Sequence, residues 1–286
     1  MQIAVLSGKG GTGKTFVSVN LAFAAQNTTY IDCDVEEPNG GLFLKPDITA
    51  EENIEVMIPK VNLEKCTACR KCVDFCKYNA LALVNNRLLV FKELCHDCGG
   101  CILLCPEKAL TEQGRTIGKV EYGISGGVKT RTGILNTGEA VGIPIIKRLL
   151  KDIEQENIYV IDSPPGSSCA VMESIKDCDY CILVTEPTLF GVHNLAMVYE
   201  LVKLFGKPHG VVINKHIEGE TVADDYCLQN NIPIIARIPY DDRIGSVNSQ
   251  GKIVAAEDGK YFAIFNEIFQ KIQEEVQHEA VTHTER

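Results

Sequence analysis

No stretch of this chain approaches the ~18 consecutive apolar residues that a membrane-spanning helix needs, which argues against stable membrane insertion. The opening segment, Met1 to Gly11, carries only a few apolar residues before its glycines. That is too few for the core of a signal peptide; the segment reads as a strand, and the expected location is cytoplasmic. An excess of basic residues is lacking too: 28 Lys and Arg stand against 38 Asp and Glu, a formal net charge of −10. Such a balance argues against a nucleic-acid partner, whose phosphates call for a basic surface, and against docking on an anionic bilayer. What the chain has in plenty is cysteine, 13 in 286 residues. In a long chain without a secretory signal, cysteines in such number point to metal ligation rather than to a disulfide framework.

Eight of these cysteines fall into two runs. Cys66, Cys69, Cys72 and Cys76 follow C-x2-C-x2-C-x3-C, and Cys95, Cys98, Cys101 and Cys105 repeat it, with Pro106 after the last. The repeat is 29 residues, Cys66 to Cys95, and Asn79-Ala80-Leu81 and Lys108-Ala109-Leu110 follow the two runs in step. Between them, Leu81 to Val84 and Leu88 to Val90 flank Asn85-Asn86, a hairpin signal. The spacing is that of two 4Fe–4S clusters. Zinc is the alternative, but zinc sites favour C-x2-C pairs set further apart.

A second signature precedes the cysteines. The apolar run Ile3 to Leu6 leads into Gly8-Lys9-Gly10-Gly11-Thr12-Gly13-Lys14-Thr15, and a helix-like segment follows from Phe16 to Ala25. Strand, glycine loop and helix in that order are the context that makes a phosphate-binding loop credible. Backbone N–H groups and the helix N-terminus converge on phosphate oxygens. Lys14 is expected to reach the β- and γ-phosphates and the Thr15 hydroxyl to ligate Mg²⁺. Further strand ends carry acidic or turn residues: Asp32 and Asp34 after Tyr30-Ile31, Asp162 to Gly166 after Ile158 to Ile161, Asn214 after Val211 to Ile213, and Pro239 after Ile234 to Ile238. Alternating strands and helices imply a doubly wound, mostly parallel α/β sheet.

The loop Lys9-Gly10-Gly11-Thr12-Gly13-Lys14-Thr15 resembles the deviant P-loop of the MinD/ParA/Mrp ATPases, and the segment 59–113 resembles a bacterial two-cluster ferredoxin. The resemblance implies a P-loop ATPase domain of residues 1–58 and 114–286, interrupted by a small α+β ferredoxin-like domain at 59–113. It implies ATP with Mg²⁺ sandwiched between two subunits of a homodimer, or of a heterodimer with a homologue. Lys9 would then reach the partner's phosphates, Asp32 lie near the Mg²⁺ shell, Asp34 orient the attacking water, Asp162 hold Mg²⁺ through water, and the Gly166 N–H sense the γ-phosphate. Asn214 would contact adenine, with the Pro239 loop on the base's other side. In two-cluster ferredoxins the fourth cysteine of each run serves the other cluster. Cluster one would thus use Cys66, Cys69, Cys72 and Cys105, and cluster two Cys76, Cys95, Cys98 and Cys101. The first run departs from the pattern in having Lys77 where proline is usual.

Five cysteines lie outside the runs. Cys178 and Cys181 form a C-x2-C that reads as buried packing or a metal pair. Cys169, seven residues after Asp162, sits where nitrogenase iron protein, a relative of this fold, has a cluster ligand. Cys33 and Cys227 read as packing residues. Residues 114–136, rich in glycine and threonine, are expected to return as irregular strands. Tyr261 to Val276 has the apolar spacing of a docked helix, and the tail beyond His278 is expected to be disordered. Three functions compete: ATP-gated electron transfer to an unidentified redox protein, assembly or delivery of clusters to an accepting protein, and a nucleotide-switched scaffold with structural clusters.

Overall fold

The computed structural model describes the backbone of residues 1–154 and 156–284, and side chains as far as residue 278. Strand β1 (Gln2–Leu6) is followed by α1 (Lys14–Ala25), β2 (Thr28–Asp32), α2 (Gly40–Leu44) and the long β3 (Asp47–Val61). The cysteine runs come next, with α3 (Lys71–Phe75), β4 (Leu81–Val84), β5 (Arg87–Val90) and α4 (Gly100–Leu103). The chain returns through β6 (Leu110–Ser125) and β7 (Val128–Leu135), then α5 (Ile143–Leu149), β8 (Ile158–Asp162), α6 (Cys169–Ile175), β9 (Tyr180–Thr185) and α7 (Leu189–Leu204). It ends with β10 (His209–His216), α8 (Val222–Gln229), β11 (Ile234–Pro239), α9 (Asp242–Ser249), α10 (Val254–Glu257) and α11 (Gly259–Thr284).

Nine strands make one sheet in the order β11-β10-β9-β1-β8-β2-β7-β6-β3. From β11 to β7 every pair is parallel, and β6 and β3 add an antiparallel edge. The central strands β1, β2, β8 and β9 are almost wholly buried, as expected of strands covered on both faces. On one face α1 and α11 pack through Phe16, Val17, Leu21, Phe265 and Phe269. On the other, α5, α6 and α7 pack through Ile145, Leu149, Val171, Ile175, Leu195 and Val198. The doubly wound α/β arrangement is therefore present.

Register fixes where the cysteines go. Asp32 pairs with Asp162 and with Thr132, Thr132 with Glu121, and Glu121 with Glu51. These residues mark the carboxyl edge of the parallel strands. The β3–β6 ribbon continues past that edge to the rung Val61–Leu110, a further run of about 35 Å at ~3.3 Å per residue. Residues 62–109 hang from that rung, and β4 and β5 form a separate two-stranded sheet there. Pro59 and Lys60, paired with Glu112 and Thr111, belong to the ribbon.

Residues 114–136 form two long strands joined at Gly126-Gly127, and the expected irregularity is confined to Ile117, where the register shifts between the rungs Ile54–Gly118 and Glu55–Thr116. Their glycines are packing residues, since a Cβ on Gly118 would strike the Ile134 carbonyl and one on Gly133 would enter the Val35, Ile145 and Leu149 side chains. The expectation for the tail beyond His278 falls outside the residues whose side chains are described. Among the described residues, no helix is long and apolar enough to cross a membrane.

Candidate functional site

The loop Gly8 to Thr15 joins β1 to α1. Gly13, at φ 96°, turns the chain into the helix in a left-handed conformation open to glycine. No side chain caps α1, so its first N–H groups stay available to an anion. They face a cleft of about 770 Å³ lined by Lys9, Gly10, Gly11, Gly13, Lys14 and Thr15, by Asp34 to Glu37 and Asn39, and by Gly142, Pro164, Pro165 and Asn248.

A buried charge network lies under the cleft. The Lys14 ammonium donates to Asp162 Oδ1 at 2.8 Å and stands 3.6 Å from Asp34 Oδ2. Ser18 Oγ donates to the same Asp162 oxygen at 3.1 Å, and the Tyr30 hydroxyl donates to Asp162 Oδ2 at 2.9 Å. Asp32 accepts backbone N–H groups from Asp34 (3.2 Å) and Gly40 (2.9 Å). Burial alone would depress Lys14, but Asp162, Asp34 and Asp32 outweigh it and hold its pKa above the usual lysine value. Burial and the adjacent Asp162 raise Asp32 to about 7. Burial pushes Asp34 up against the opposing pull of Lys14, and burial with Asp162 pushes Tyr30 well above an ordinary phenol.

The structure brings Lys14, Thr15, Asp32, Asp34 and Asp162 together at one strand edge. Lys9 lies over the Phe190 ring at 4.5 Å and pairs with Glu186 at 3.3 Å. Glu186 also takes Lys215 at 2.6 Å. The Gly166 N–H donates to the Ser7 carbonyl at 2.9 Å. Asn214 donates its amide to the Thr12 carbonyl at 2.8 Å, bracing the loop from below. Pro239 ends β11 opposite His216, and neither it nor Asn214 is part of the cleft wall. Sequence reasoning passed over Ser18, Tyr30 and Glu186. Ser18 stands one helical turn after Lys14 and Tyr30 two strand residues before Asp32, so each shares a face with its partner.

At the ribbon tip, one cavity is walled by Cys66, Cys69, Cys72 and Cys105 with Val73, Leu83, Leu88 and Leu110. A second is walled by Cys76, Cys95, Cys98 and Cys101 with Phe75, Leu81 and Ile102. Each set takes three cysteines from one run and the fourth from the other. Backbone conformation repeats with the sequence: φ is positive at Ala68 and Asp97 (54°, 52°), at Arg70 and Gly99 (66°, 67°), and at Asn79 and Lys108 (55°, 48°). Six residues in this turn conformation wrap the chain around the two cavities. The Ala109 N–H donates to Cys105 Sγ at 3.3 Å, a contact of the kind that tunes a ligating thiolate. Burial raises Cys72 and Cys95 and carries Cys101 to about 11, so iron would have to displace protons from these thiols. Among the described residues no three His, Cys, Asp or Glu side chains gather to hold a single metal ion. Four thiols around an apolar void fit a polynuclear cluster.

Of the other cysteines, Cys178 and Cys181 are buried with sulfurs 3.3 Å apart. Cys33 and Cys227 are buried, and Cys169 opens α6 in an exposed position.

Residues 3–254 match the model of the CobQ/CobB/MinD/ParA nucleotide binding domain. The chain belongs to this family. Within reach of it stands an uncharacterized protein of Methanocaldococcus jannaschii, 31% identical over 262 residues, a match covering 88% of this chain and 90% of that one. An iron-sulfur cluster carrier protein of Pyrococcus horikoshii is 26% identical over 294 residues, covering 95% and 85%. Among solved structures, the septum site-determining protein MinD of Pyrococcus horikoshii, complexed with Mg-ADP, superposes with a TM-score of 0.55 at 18% identity, over 95% of each chain; it attests the fold. A nucleotide-binding P-loop fold with a glycine loop, two buried aspartates and a matching cleft is thus established for this member of the family.

Proposed function

We propose that this chain binds and hydrolyses ATP between two subunits and couples that switch to electron transfer through two 4Fe–4S clusters. The observation that carries the reading is the pair of cysteine-walled cavities at the tip of a ribbon rooted in the same sheet as the nucleotide cleft.

Lys14 rests on Asp162. On binding ATP it turns from that carboxylate to the β- and γ-phosphate oxygens, where the uncapped N–H groups of α1 and the backbone from Gly8 to Thr15 also converge. The Thr15 hydroxyl, Asp32 and Asp162 would hold Mg²⁺. The metal supplies neutralising charge to the phosphates. Asp34 orients the attacking water. Lys9 exchanges Glu186 for the partner subunit's phosphates, and the Gly166 N–H exchanges the Ser7 carbonyl for the γ-phosphate. Asn214 and the Pro239 loop flank the adenine. Cys66, Cys69, Cys72 and Cys105 would hold one cluster and Cys76, Cys95, Cys98 and Cys101 the other, and the clusters supply one-electron storage.

Anaerobic EPR of the reduced protein, with and without Mg²⁺ and a slowly hydrolysed ATP analogue, tests the reading. A nucleotide-dependent change in the iron signal supports it. An unchanged signal with nucleotide demonstrably bound overturns the coupling. The kinship with an iron-sulfur cluster carrier protein favours a second reading, cluster delivery. Two sets of four internal cysteines speak against it, because such clusters should be retained in a transfer assay with an apo-acceptor protein.

A further inference from the structure

We propose that the two cysteine-lined cavities do different jobs: the second is the nucleotide-responsive centre, linked to the cleft by the segment 136–142, and the first is insulated from the nucleotide. This rests on the coupled reading above and deepens it.

The first cavity is lined only by residues 66–110, the cysteine segment and the first residue of β6. The second borrows Met57 and Pro59 from β3. Its ligand loop also packs onto the nucleotide domain. Cys95 lies against the large core that carries α5 and α6, and Cys95, His96 and Asp97 share a small crevice with Arg115, Ile117, Glu139 and Pro144. In that crevice the Arg115 guanidinium grips both oxygens of Glu139, Nη2 to Oε2 at 2.7 Å and Nη1 to Oε1. Both side chains are largely buried, at 17% and 10% exposure. A two-pronged, mostly buried pair of this kind fixes position better than a surface pair.

From Glu139 the contacts run to the cleft without a gap. The Glu139 N–H donates to Asn136 O at 3.1 Å, the Asn136 N–H to Ile117 O at 2.8 Å, and the Leu135 N–H to Val35 O at 2.8 Å. Gly142 lies so close to Val35 that a Cβ there would collide with it. Gly142, Val35 and Asp34 all line the nucleotide cleft. Asp34 and Val35 face the place where a γ-phosphate and its water would be held, and Val35 is bonded to the strand that leads into 136–142. Any movement of the Asp34–Val35 segment therefore reaches Glu139, Arg115 and the Cys95–Asp97 loop through hydrogen bonds and packing. The first cavity meets the nucleotide domain through Leu110, at the far end of the β3–β6 ribbon, and among the described residues nothing from 34–35 or 136–144 lines it. Coupling of this kind is reciprocal: nucleotide shifts the second centre's midpoint, and its reduction shifts nucleotide affinity by the same factor.

The test is an anaerobic redox titration of the full chain followed by EPR, with and without Mg²⁺ and a slowly hydrolysed ATP analogue. Cys69→Ser and Cys98→Ser identify which signal belongs to which cavity. The expected result is that the second centre's midpoint moves while the first stays. A tenfold change in nucleotide affinity on reduction corresponds to about 59 mV for one electron. Glu139→Gln should keep the iron and the nucleotide affinity but lose the shift. The double variant Arg115→Met, Glu139→Met, which leaves no unpaired buried charge, should do the same if the single variant folds poorly. Equal movement of both midpoints, movement of the first alone, or a shift that survives both variants overturns the proposal while leaving nucleotide–cluster coupling standing. Reducible centres that ignore bound nucleotide overturn the coupling itself.

Discussion

Asp32 offers the sharpest test of the buried network. Its carboxyl is fully buried beside Asp162, and burial with that neighbour raises its pKa from 3.8 to about 7. The folded state thus holds a proton that the unfolded chain releases near pH 4. Below the unfolded value the residue carries no penalty. The penalty grows as pH rises from about 4 to about 7 and is constant above. At about 1.36 kcal/mol per pH unit, its ceiling is roughly 4 kcal/mol. For a chain of this size that is on the order of 10 °C in melting temperature. The nucleotide-free, iron-loaded protein should therefore melt several degrees lower at pH 8 than at pH 5. Asp32→Asn, which mimics the protonated acid in shape and charge, should flatten that slope. It forfeits one of the two backbone contacts, from Asp34 and Gly40, at every pH. Mg²⁺ with nucleotide brings positive charge to the site and should also flatten it. Anaerobic thermal unfolding by circular dichroism between pH 5 and 8 reads all three curves. The same slope in wild type and Asp32→Asn would refute the assignment.

Other substitutions test other parts. Lys14→Ala should weaken binding of a fluorescent ATP analogue by about 100-fold, on the order of 3 kcal/mol for a charged hydrogen-bonding partner; unchanged affinity would remove Lys14 from the phosphate site. Glu186→Gln weakens the hold on Lys9, so ATP-dependent dimer formed in light scattering should rise several-fold, with no effect in a Lys9→Ala background. Cys178→Ser with Cys181→Ser should leave iron content unchanged, whereas Cys69→Ser should lower it; iron analysis of purified protein separates packing cysteines from ligands. Gly13→Ala places a Cβ at φ 96° and against the Asn214 amide, and should abolish nucleotide binding in the same fluorescence titration.

The parallel sheet and the glycine loop were legible because their signals are local: branched apolar runs ending in aspartate, and glycines at fixed spacing before a helix. The grouping of the eight cysteines came from spacing plus resemblance, and the cavities divide them the same way. What could not be read was side-chain pairing across distance. Lys14 and Asp162 are far apart in sequence, and nothing local says that Lys14 folds back onto Asp162. Glu186 carried no local signal because its partners, Lys9 and Lys215, come from the glycine loop and from the end of β10. The glycines of 114–136 suggested irregularity because their reason lies in neighbours, the Ile134 carbonyl and the Val35 and Ile145 side chains.

The single rung Val61–Leu110 also makes this chain a natural graft. Both ends of residues 62–109 leave from facing positions at the end of the β3–β6 ribbon, so the pairing of the sheet needs no strand from the segment carried above it. Excision of the segment in favour of a tight turn leaves a shorter hairpin, a change tolerated at loop tips. Under iron scarcity the thiol-lined tip should fray and the contact of Cys95 with the nucleotide domain loosen, while the parallel sheet keeps its pairing.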